Sequence, residues 1–446
     1  MKLRTHLEAL CGPEHVSTWS GTSGSDATLS DMTLSGAPET LVVAPENEEQ
    51  LREILRLAAL DRWRVLPAGA LEHLRSRDVA AADLVLSLRR FAGVVDYEPE
   101  DQTLVAQTGV SLRSLDTLLQ AHQQSMSIDC ARGVAATVGG AVAGNRCGLD
   151  RLLHGTWRDH VLGARAMHAD GTVTQTGSRV VKSVAGYDLS KLYVGSRGSL
   201  VVLLEVNLRL MNTPEVTSTV VAHIPFGRAP EVLQALHEDR SLQSSSILLV
   251  AEPGPERRSK ELFAVVRFAG RAEVVTRQVE ICRSRIGGQL VSEEEGDRLS
   301  ERLRKQMAGS AERASLRLVT LPVGVVQPAI ALTQCLDAGS GFVAHYGVGT
   351  VHLLLTPEGM RHTLEVVREL RTQNSSAVGA IDMCGESIPQ SWPLPVELAT
   401  APASALQRAL QTKFDPAQLF SPSPDGLPPR SPVIATSKAD SRREVR

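Results

Sequence analysis

The segment that decides the fold reads VKSVAGYDLSKLYVGS and spans residues 181–196. It places polar side chains and glycines between two apolar segments that are predicted to be strands. That arrangement is unusual for a plain hairpin and common in a loop that lines a ligand site. A polar turn with solvated Lys182 and Asp188 would give the same pattern, so on its own this segment leaves both interpretations open.

A second glycine-rich segment, AATVGGAVAGN, occupies residues 135–145. Glycines let backbone N–H groups come close to a phosphate and form a concave anion site. The spacing is neither that of a P-loop nor the G-x-G-x-x-G of a dinucleotide-binding turn. A tight turn built from small residues for packing is the alternative. Regular helix is expected to be nearly absent between residues 135 and 210.

Composition limits the class of protein. The 446 residues carry 47 Lys+Arg and 50 Asp+Glu, a net charge of -3, which excludes a mainly electrostatic nucleic-acid binder. The 6 cysteines include no C-x-x-C pair, which excludes a zinc ribbon and a ferredoxin-type cluster. Aromatic residues make up 3%, too few for base- or sugar-stacking platforms. We therefore expect an enzyme-sized protein without a metal site that acts through backbone and glycine.

The N-terminus lacks the apolar core of a secretory signal, and no run approaches the roughly 18 apolar residues of a membrane span. We therefore expect the cytoplasm, with peripheral association at the inner membrane only through partners.

Hydrophobic periodicity divides the chain into five parts. Residues 1–40 are expected to be partly loop, with the first ordered element near Leu41. A β-α-β unit opens residues 41–214, and strands alternate with amphipathic helices over residues 215–395 in the manner of a doubled ferredoxin-like unit. Residues 396–425 are predicted to return to the first domain, and residues 426–446 to be a disordered tail.

Together these features resemble the FAD-binding domain of the vanillyl-alcohol oxidase and p-cresol methylhydroxylase superfamily of FAD-linked oxidases. Within it they are most similar to the FAD-binding subunits of bacterial glycolate oxidases. The resemblance resumes at KFDPAQLFSP, residues 413–422. It implies an α+β fold: a two-subdomain FAD-binding domain of the p-cresol methylhydroxylase type plus an α+β, ferredoxin-like cap domain. The residues that carry it, in chain order, are Thr137 to Gly140, Asn145, Arg158, Asp159, Gly163, Asp170, Gly171, Val181, Lys182, Ala185 to Asp188, Gly195, Ser196, Gly198, Glu205 and Val206.

The resemblance implies non-covalent FAD and a set of residues around it. The segment from Thr137 to Gly140 would line the cofactor with main-chain amides near its pyrophosphate. The residues expected to bind FAD are Gly69, Thr137, Val138, Gly139, Gly140, Asn145, Gly148, Gly186, Tyr187, Asp188, Glu205 and Val206.

One loop departs from the family pattern. Members carry a glycine-rich phosphate loop after the second strand, where this chain reads LPAGALEHL at residues 66–74. Only Gly69 is retained, and Glu72 would bring a negative charge towards the phosphates. The closing Asn-Pro-Gly of the family is also altered, to Ser421-Pro422-Ser423. These changes favour an alternative in which the chain keeps the fold as a structural subunit that no longer binds FAD.

The implied activity is oxidation of a small 2-hydroxy acid by the flavin, with electrons passed to a partner. The implied partners are a homologous flavoprotein subunit and an iron–sulfur subunit, since this chain cannot hold a cluster. A stand-alone FAD-dependent oxidoreductase is the other alternative. Candidates for the catalytic group are His345 and Tyr187. His345 lies in AHYGVGTVH, residues 344–352, on a predicted strand where a purely structural histidine fits equally well.

Overall fold

The computed structural model describes most of both predicted domains. The predicted site residue Gly186, the acidic Glu72 of the first loop and the predicted tail 426–446 lie outside the described residues. The described residues are 2–19, 40–71, 82–126, 128, 136–177, 187–253, 262–308, 313–333, 336–337, 339–356, 359–360, 363, 365–367, 369–370, 380–384 and 402–420.

The first subdomain is a four-stranded sheet in the order β1-β2-β4-β3, with β2 and β3 parallel to β4 and β1 antiparallel to β2. The prediction that order begins near Leu41 is wrong, because α1 and β1 precede it: the side chains of Leu7 and Cys11 on α1 are buried in the core of this subdomain. Its elements are α1 (Lys2–Cys11), β1 (Val16–Thr18), β2 (Leu41–Val43), α2 (Glu48–Asp61), β3 (Val65–Ala68) and β4 (Leu84–Ser87).

Helix α2 connects β2 to β3 as a crossover. It begins where the Asn47 side chain accepts a hydrogen bond from the Gln50 amide at 3.0 Å, and Glu48 and Glu49 lie at the positive end of its dipole. It ends at Arg62, which takes the left-handed conformation with φ 58°. Its apolar stripe packs against β2, β3 and β4, and this fixes the direction in which β3 leads to residue 69.

The second subdomain is a five-stranded antiparallel sheet in the order β5-β6-β10-β8-β9, accompanied by a two-stranded pair of β7 and β11. Among the described residues between 138 and 193 there are four short helices, so the expectation that regular helix nearly vanishes there is wrong. Two of these helices begin at side-chain caps, at Thr137 and Thr156, which favour helix where the glycines disfavour it. The elements are β5 (Val94–Glu98), β6 (Thr103–Gln107), α3 (Leu112–Gln120), β7 (Gln124–Ser125), α4 (Val138–Gly144), α5 (Arg151–His154), α6 (Trp157–His160), β8 (Val161–Met167), β9 (Val173–Gly177), α7 (Ser190–Tyr193), β10 (Val202–Arg209) and β11 (Met211–Asn212).

The cap is an eight-stranded antiparallel sheet in the order β15-β12-β14-β13-β17-β18-β16-β19. Helices α8, α9 and α11 cover one face, and α10 packs on the other. The elements are β12 (Val216–Ile224), α8 (Ala229–Glu238), β13 (Ser246–Ala251), β14 (Leu262–Gly270), α9 (Ala272–Ile286), β15 (Gln289–Leu290), α10 (Glu293–Ala308), β16 (Ala314–Val319), α11 (Val326–Thr333), β17 (Gly341–His345), β18 (Thr350–Leu355) and β19 (Ala380–Cys384).

The face of the cap sheet that carries α10 also meets the second subdomain, and we call it the seam face. Leu149 inserts into it, against Leu248 of β13 and Val343 of β17. The next residue, Asp150, pairs with Arg267 of β14 through Nη1 at 2.8 and 2.9 Å, and these side chains are 15% and 6% exposed. The two halves of the molecule are therefore joined by a buried ion pair beside an apolar insertion.

After the cap, α12 (Pro402–Phe414) leads the chain back to the first sheet. The carbonyl of Leu419 accepts the Val65 amide at 2.7 Å, and Phe420 forms a parallel bridge with Val65. The buried Asp415 carboxylate accepts the amides of Leu419 and Phe420 at 2.9 and 2.7 Å. Burial raises the pKa of Asp415, and these two amides partly oppose that rise. Strand β3 is therefore supported by the far end of the described chain.

Candidate cofactor site

An open cleft lies where the first and second subdomains meet. Its walls come from the end of β3, the residue after β4, the end of β6, helix α4 and the start of β10. None of the lining side chains is charged, so the walls are glycine backbone and small apolar groups. The lining residues are Pro67, Ala68, Gly69, Leu88, Thr108, Gly139, Gly140, Ala143, Gly198, Val201 and Leu203.

Helix α4 forms one wall of the cleft and begins at Thr137, whose Oγ1 accepts the Gly140 amide at 3.2 Å. The amides of Val138 and Gly139 donate to the carbonyls of Val110 and Thr108 at 2.9 and 2.8 Å. These two amides are therefore already used within the protein. What this helix offers a ligand is the uncovered surface of its glycines.

Glycines bring the walls of the cleft into direct contact. A Cβ at Gly69 would lie 2.0 Å from Thr137 Oγ1, and one at Gly139 would lie 2.5 Å from Thr108 Cβ. Gly198 has φ +75°, and a Cβ there would lie 3.2 Å from Pro67 Cβ. Any side chain at these positions would push the walls apart. A Cβ at Gly140, by contrast, would meet only Thr137 Oγ1, at 3.3 Å.

The loop after β3, residues 69–71, departs from the family pattern more in its side chains than in its backbone. Within the described residues, the amides of Gly69, Ala70 and Leu71 donate to no backbone carbonyl. Leu71 holds the left-handed conformation with φ 68°, which is favourable for glycine, while its side chain is buried among apolar neighbours. The Ser87 hydroxyl donates to the Gly69 carbonyl at 2.8 Å and fixes the loop. Gly69 lines the uncharged cleft, and a loop backbone of this kind can bind a phosphate through its N–H groups.

The structure brings three predicted residues to the cleft, Gly69, Gly139 and Gly140, with Thr137 buried directly behind Gly69. Val138 and Val206 instead pack in the core of the second subdomain. Val206 was expected beside the cofactor from the resemblance. On the same strand it is Leu203 that lines the cleft, although Leu203 also packs in that core.

Glu205, Tyr187 and Asp188 are not among the residues that line the cleft. Glu205 forms an ion pair with Arg165 at 3.4 Å, and Arg165 is also paired with Glu48 of α2. Asp188 accepts the Ser190 amide at 3.1 Å. The Tyr187 side chain is 96% exposed and does not line the cleft.

Asn145 and Gly148 follow the C-terminal end of α4. Asn145 ends that helix in the left-handed conformation with φ 43°, and Gly148 is buried just before the insertion of Leu149. These two residues lie between α4, which lines the cleft, and Leu149, which contacts the seam face of the cap sheet.

The catalytic candidate His345 lies on β17, buried, with its ring centroid 5.5 Å from that of His352 on β18. It is two residues from Val343, so strand alternation places both on the seam face. Its catalytic role stays a prediction. Within the part of the chain that the structure describes, no group of three or more His, Cys, Asp or Glu side chains could hold a metal ion. No helix among these residues is long and apolar enough to cross a membrane.

Sequence reasoning missed several lining residues, notably Leu88, Thr108 and Leu203. Thr108 connects two walls, because its hydroxyl donates to the Leu203 carbonyl at 2.7 Å and its own carbonyl accepts the Gly139 amide. Their place in the chain could have indicated this role, since Leu88 and Thr108 each directly follow a strand, and the two strands belong to different sheets.

Comparisons with known proteins agree with this geometry. Residues 39–177 match the protein family described as FAD binding domain. Over 270 residues the chain is 26% identical to glycolate oxidase subunit GlcD of Bacillus subtilis, a match covering 54% of this chain and 57% of that protein. Over 145 residues it is 34% identical to glycolate oxidase subunit GlcE of Escherichia coli, covering 32% and 41%. The chain thus spans about half the length of the curated relatives it matches.

Among solved structures, p-cresol methylhydroxylase with substrate bound superposes with a TM-score of 0.68 at 14% identity, covering 96% of both chains. This likeness shows the fold. The predicted α+β architecture is confirmed by this likeness. The prediction that FAD is the cofactor of this domain is confirmed by the match to the FAD binding domain. The glycine-walled cleft lies within and beside the matched residues.

Proposed function

We propose that the chain is the FAD-binding subunit of a glycolate-like 2-hydroxy-acid dehydrogenase or oxidase. The observation that carries the proposal is the uncharged cleft walled by Gly69, Gly139, Gly140 and Gly198, which lies within and beside the residues that match the FAD binding domain. Both relatives compared above are named as glycolate oxidase subunits, which favours a small 2-hydroxy acid as substrate.

Bound FAD would supply the two-electron acceptor for the substrate carbon. The chain's own residues would hold it. The amides of Gly69, Ala70 and Leu71 would bind the pyrophosphate, and Gly139 and Gly140 would allow the ligand to approach the backbone of α4. On the opposite wall, Leu88 and Leu203 would exclude water. His345, on the seam face, is our candidate for the base that accepts the hydroxyl proton of the substrate.

Electrons would leave through another subunit. The sequence contains no C-x-x-C pair and its 6 cysteines are dispersed, so the chain has no spacing suited to an iron–sulfur cluster. A homologous flavoprotein and a cysteine-rich iron–sulfur chain are the partners we propose. A stand-alone oxidoreductase would need neither, and co-purification of the tagged full chain with both partners separates the two possibilities.

The first test is flavin content. The purified chain, incubated with excess FAD and desalted, should show flavin absorbance at close to one FAD per chain. Gly140→Leu should remove it without unfolding the protein, because the side chain would enter the cleft and meet little protein. Gly227→Leu is the matched control, since a Cβ there meets nothing within 4 Å.

A wild-type protein that gains no flavin would refute the proposal and leave the structural-subunit alternative. Unchanged flavin in a folded Gly140→Leu variant would refute the placement of the cofactor.

A further inference from the structure

The seam face of the cap sheet carries a polar cluster in otherwise apolar surroundings. His352 of β18 is the register partner of both Val343 of β17 and Arg317 of β16. Partners opposite each other in a sheet share a face, so Arg317 and both histidines lie on the face into which Leu149 inserts. The cluster is therefore directed towards the second subdomain.

Opposite this cluster lies Arg151, the first residue of α5. Its neighbour Asp150 is fixed to the same sheet through Arg267 and the Ser245 hydroxyl, at 2.8 and 2.7 Å. Arg151 is half-buried. Within the described residues, its guanidinium donates no hydrogen bond and has no carboxylate within 4.0 Å. Burial lowers the pKa of Arg151 and the nearby Arg317 lowers it further, whereas Cys147 and Asp159 raise it.

Arg151 is half-buried and has no carboxylate within 4.0 Å among the described residues, so its guanidinium can form two parallel hydrogen bonds with a bound carboxylate. The position suits a substrate. Ala143 of α4 lines the cofactor cleft, and Cys147 follows a few residues later, at the start of the seam. Arg151 thus lies where the cleft wall passes into the cap.

We propose that Arg151 binds the carboxylate of an anionic ligand at the seam, with Arg317 and the two histidines forming the opposite wall. Resting on the function proposed above, this makes Arg151 the residue that selects 2-hydroxy acids over neutral alcohols. The two walls come from different domains, so the site forms only when the cap is docked.

The test uses oxalate, a small dicarboxylate that cannot be oxidised at a hydroxyl-bearing carbon, titrated calorimetrically into the full chain. Arg151→Met should weaken binding about 10- to 100-fold, the usual effect of losing a charge-assisted hydrogen bond. Arg151→Lys, which keeps the charge without the planar fork, should lie between wild type and Arg151→Met. The exposed Arg113 and Arg277 provide matched controls: their substitution by Met should leave oxalate affinity unchanged.

Flavin absorbance is measured on each sample, so the two proposals fail separately. Oxalate affinity that depends on Arg151 in a flavin-free protein would sustain the anion site and refute the oxidoreductase. Failure of the wild type to bind oxalate, or equal affinity in folded Arg151→Met, would overturn the anion site while leaving flavin binding intact.

Discussion

Gly69→Ala tests whether contact between the first loop and helix α4 holds the cofactor cleft together. The new Cβ would lie 2.0 Å from Thr137 Oγ1, whereas ordinary contacts begin near 3.4 Å, so the loop must move by about 1.4 Å. Overpacking of this kind costs about 1–3 kcal/mol of unfolding free energy. The same movement displaces the amides of residues 69–71, so FAD affinity should fall as well.

Adding Thr137→Ala to Gly69→Ala should restore much of the lost stability and FAD affinity, and this rescue identifies the contact as the cause. Without Oγ1, the atom nearest to the new Cβ of residue 69 is the Cβ of residue 137, at 3.2 Å. A shift of a few tenths of an ångström then suffices. Thr137→Ala alone costs about 1 kcal/mol, because Oγ1 caps the Gly140 amide. The double variant should therefore be about as stable as Thr137→Ala alone, a coupling of about 2 kcal/mol.

The assay is urea unfolding of the wild type, both single variants and the double variant, followed by far-UV circular dichroism, with FAD titrations on the same samples. Gly227→Ala is the control for a generic glycine effect, since nothing lies within 4 Å of its Cβ. Additive losses in the double variant, with no rescue of FAD affinity, would refute the contact as the cause.

Two further predictions concern stability and reactivity. Asp150→Asn should cost about 3 kcal/mol in the same unfolding assay, because it leaves Arg267 buried without its carboxylate. Glu252→Gln breaks an exposed ion pair with Arg302 and should lower the free energy of unfolding only slightly. Equal losses in the two variants would contradict the buried ion pair between Asp150 and Arg267. Burial raises the pKa of Cys282 to about 12, so at pH 8 only about one thiol in 10⁴ is ionised. Iodoacetamide should therefore label Cys282 only after unfolding or as the pH approaches 12; rapid labelling of the native protein in peptide maps at pH 8 would contradict this.

Elements with strong local patterns could be predicted from the sequence. Strands that alternate with amphipathic helices were expected over residues 215–395, and the structure has such elements there, since alternation or a 3.6-residue period continues to their ends; examples are Val216–Ile224, Ala272–Ile286, Gly341–His345 and Thr350–Leu355. Helix α4 could not be predicted, because glycine disfavours helix and the cap at Thr137 with the contact to Thr108 overrides that preference.

The candidate site shows the same division. The glycines at residues 69, 139 and 140 could be found because glycine itself is the signal. Leu88 and Leu203 could not, since each becomes a cleft wall only through contacts with distant segments. The left-handed backbone conformation of Leu71 could not be predicted for a different reason. A leucine does not indicate positive φ, and the burial of its side chain became visible only in the structure.

The bridge between Val65 and Phe420 sets an order of events during synthesis of the protein. Strand β3 leads into the loop at residue 69, yet the segment that supports it leaves the ribosome only after the whole cap sheet. A nascent chain can fold its cap while the edge of its first sheet is still open. We therefore expect the loop at residue 69 to reach its final position only after the cap has been synthesised.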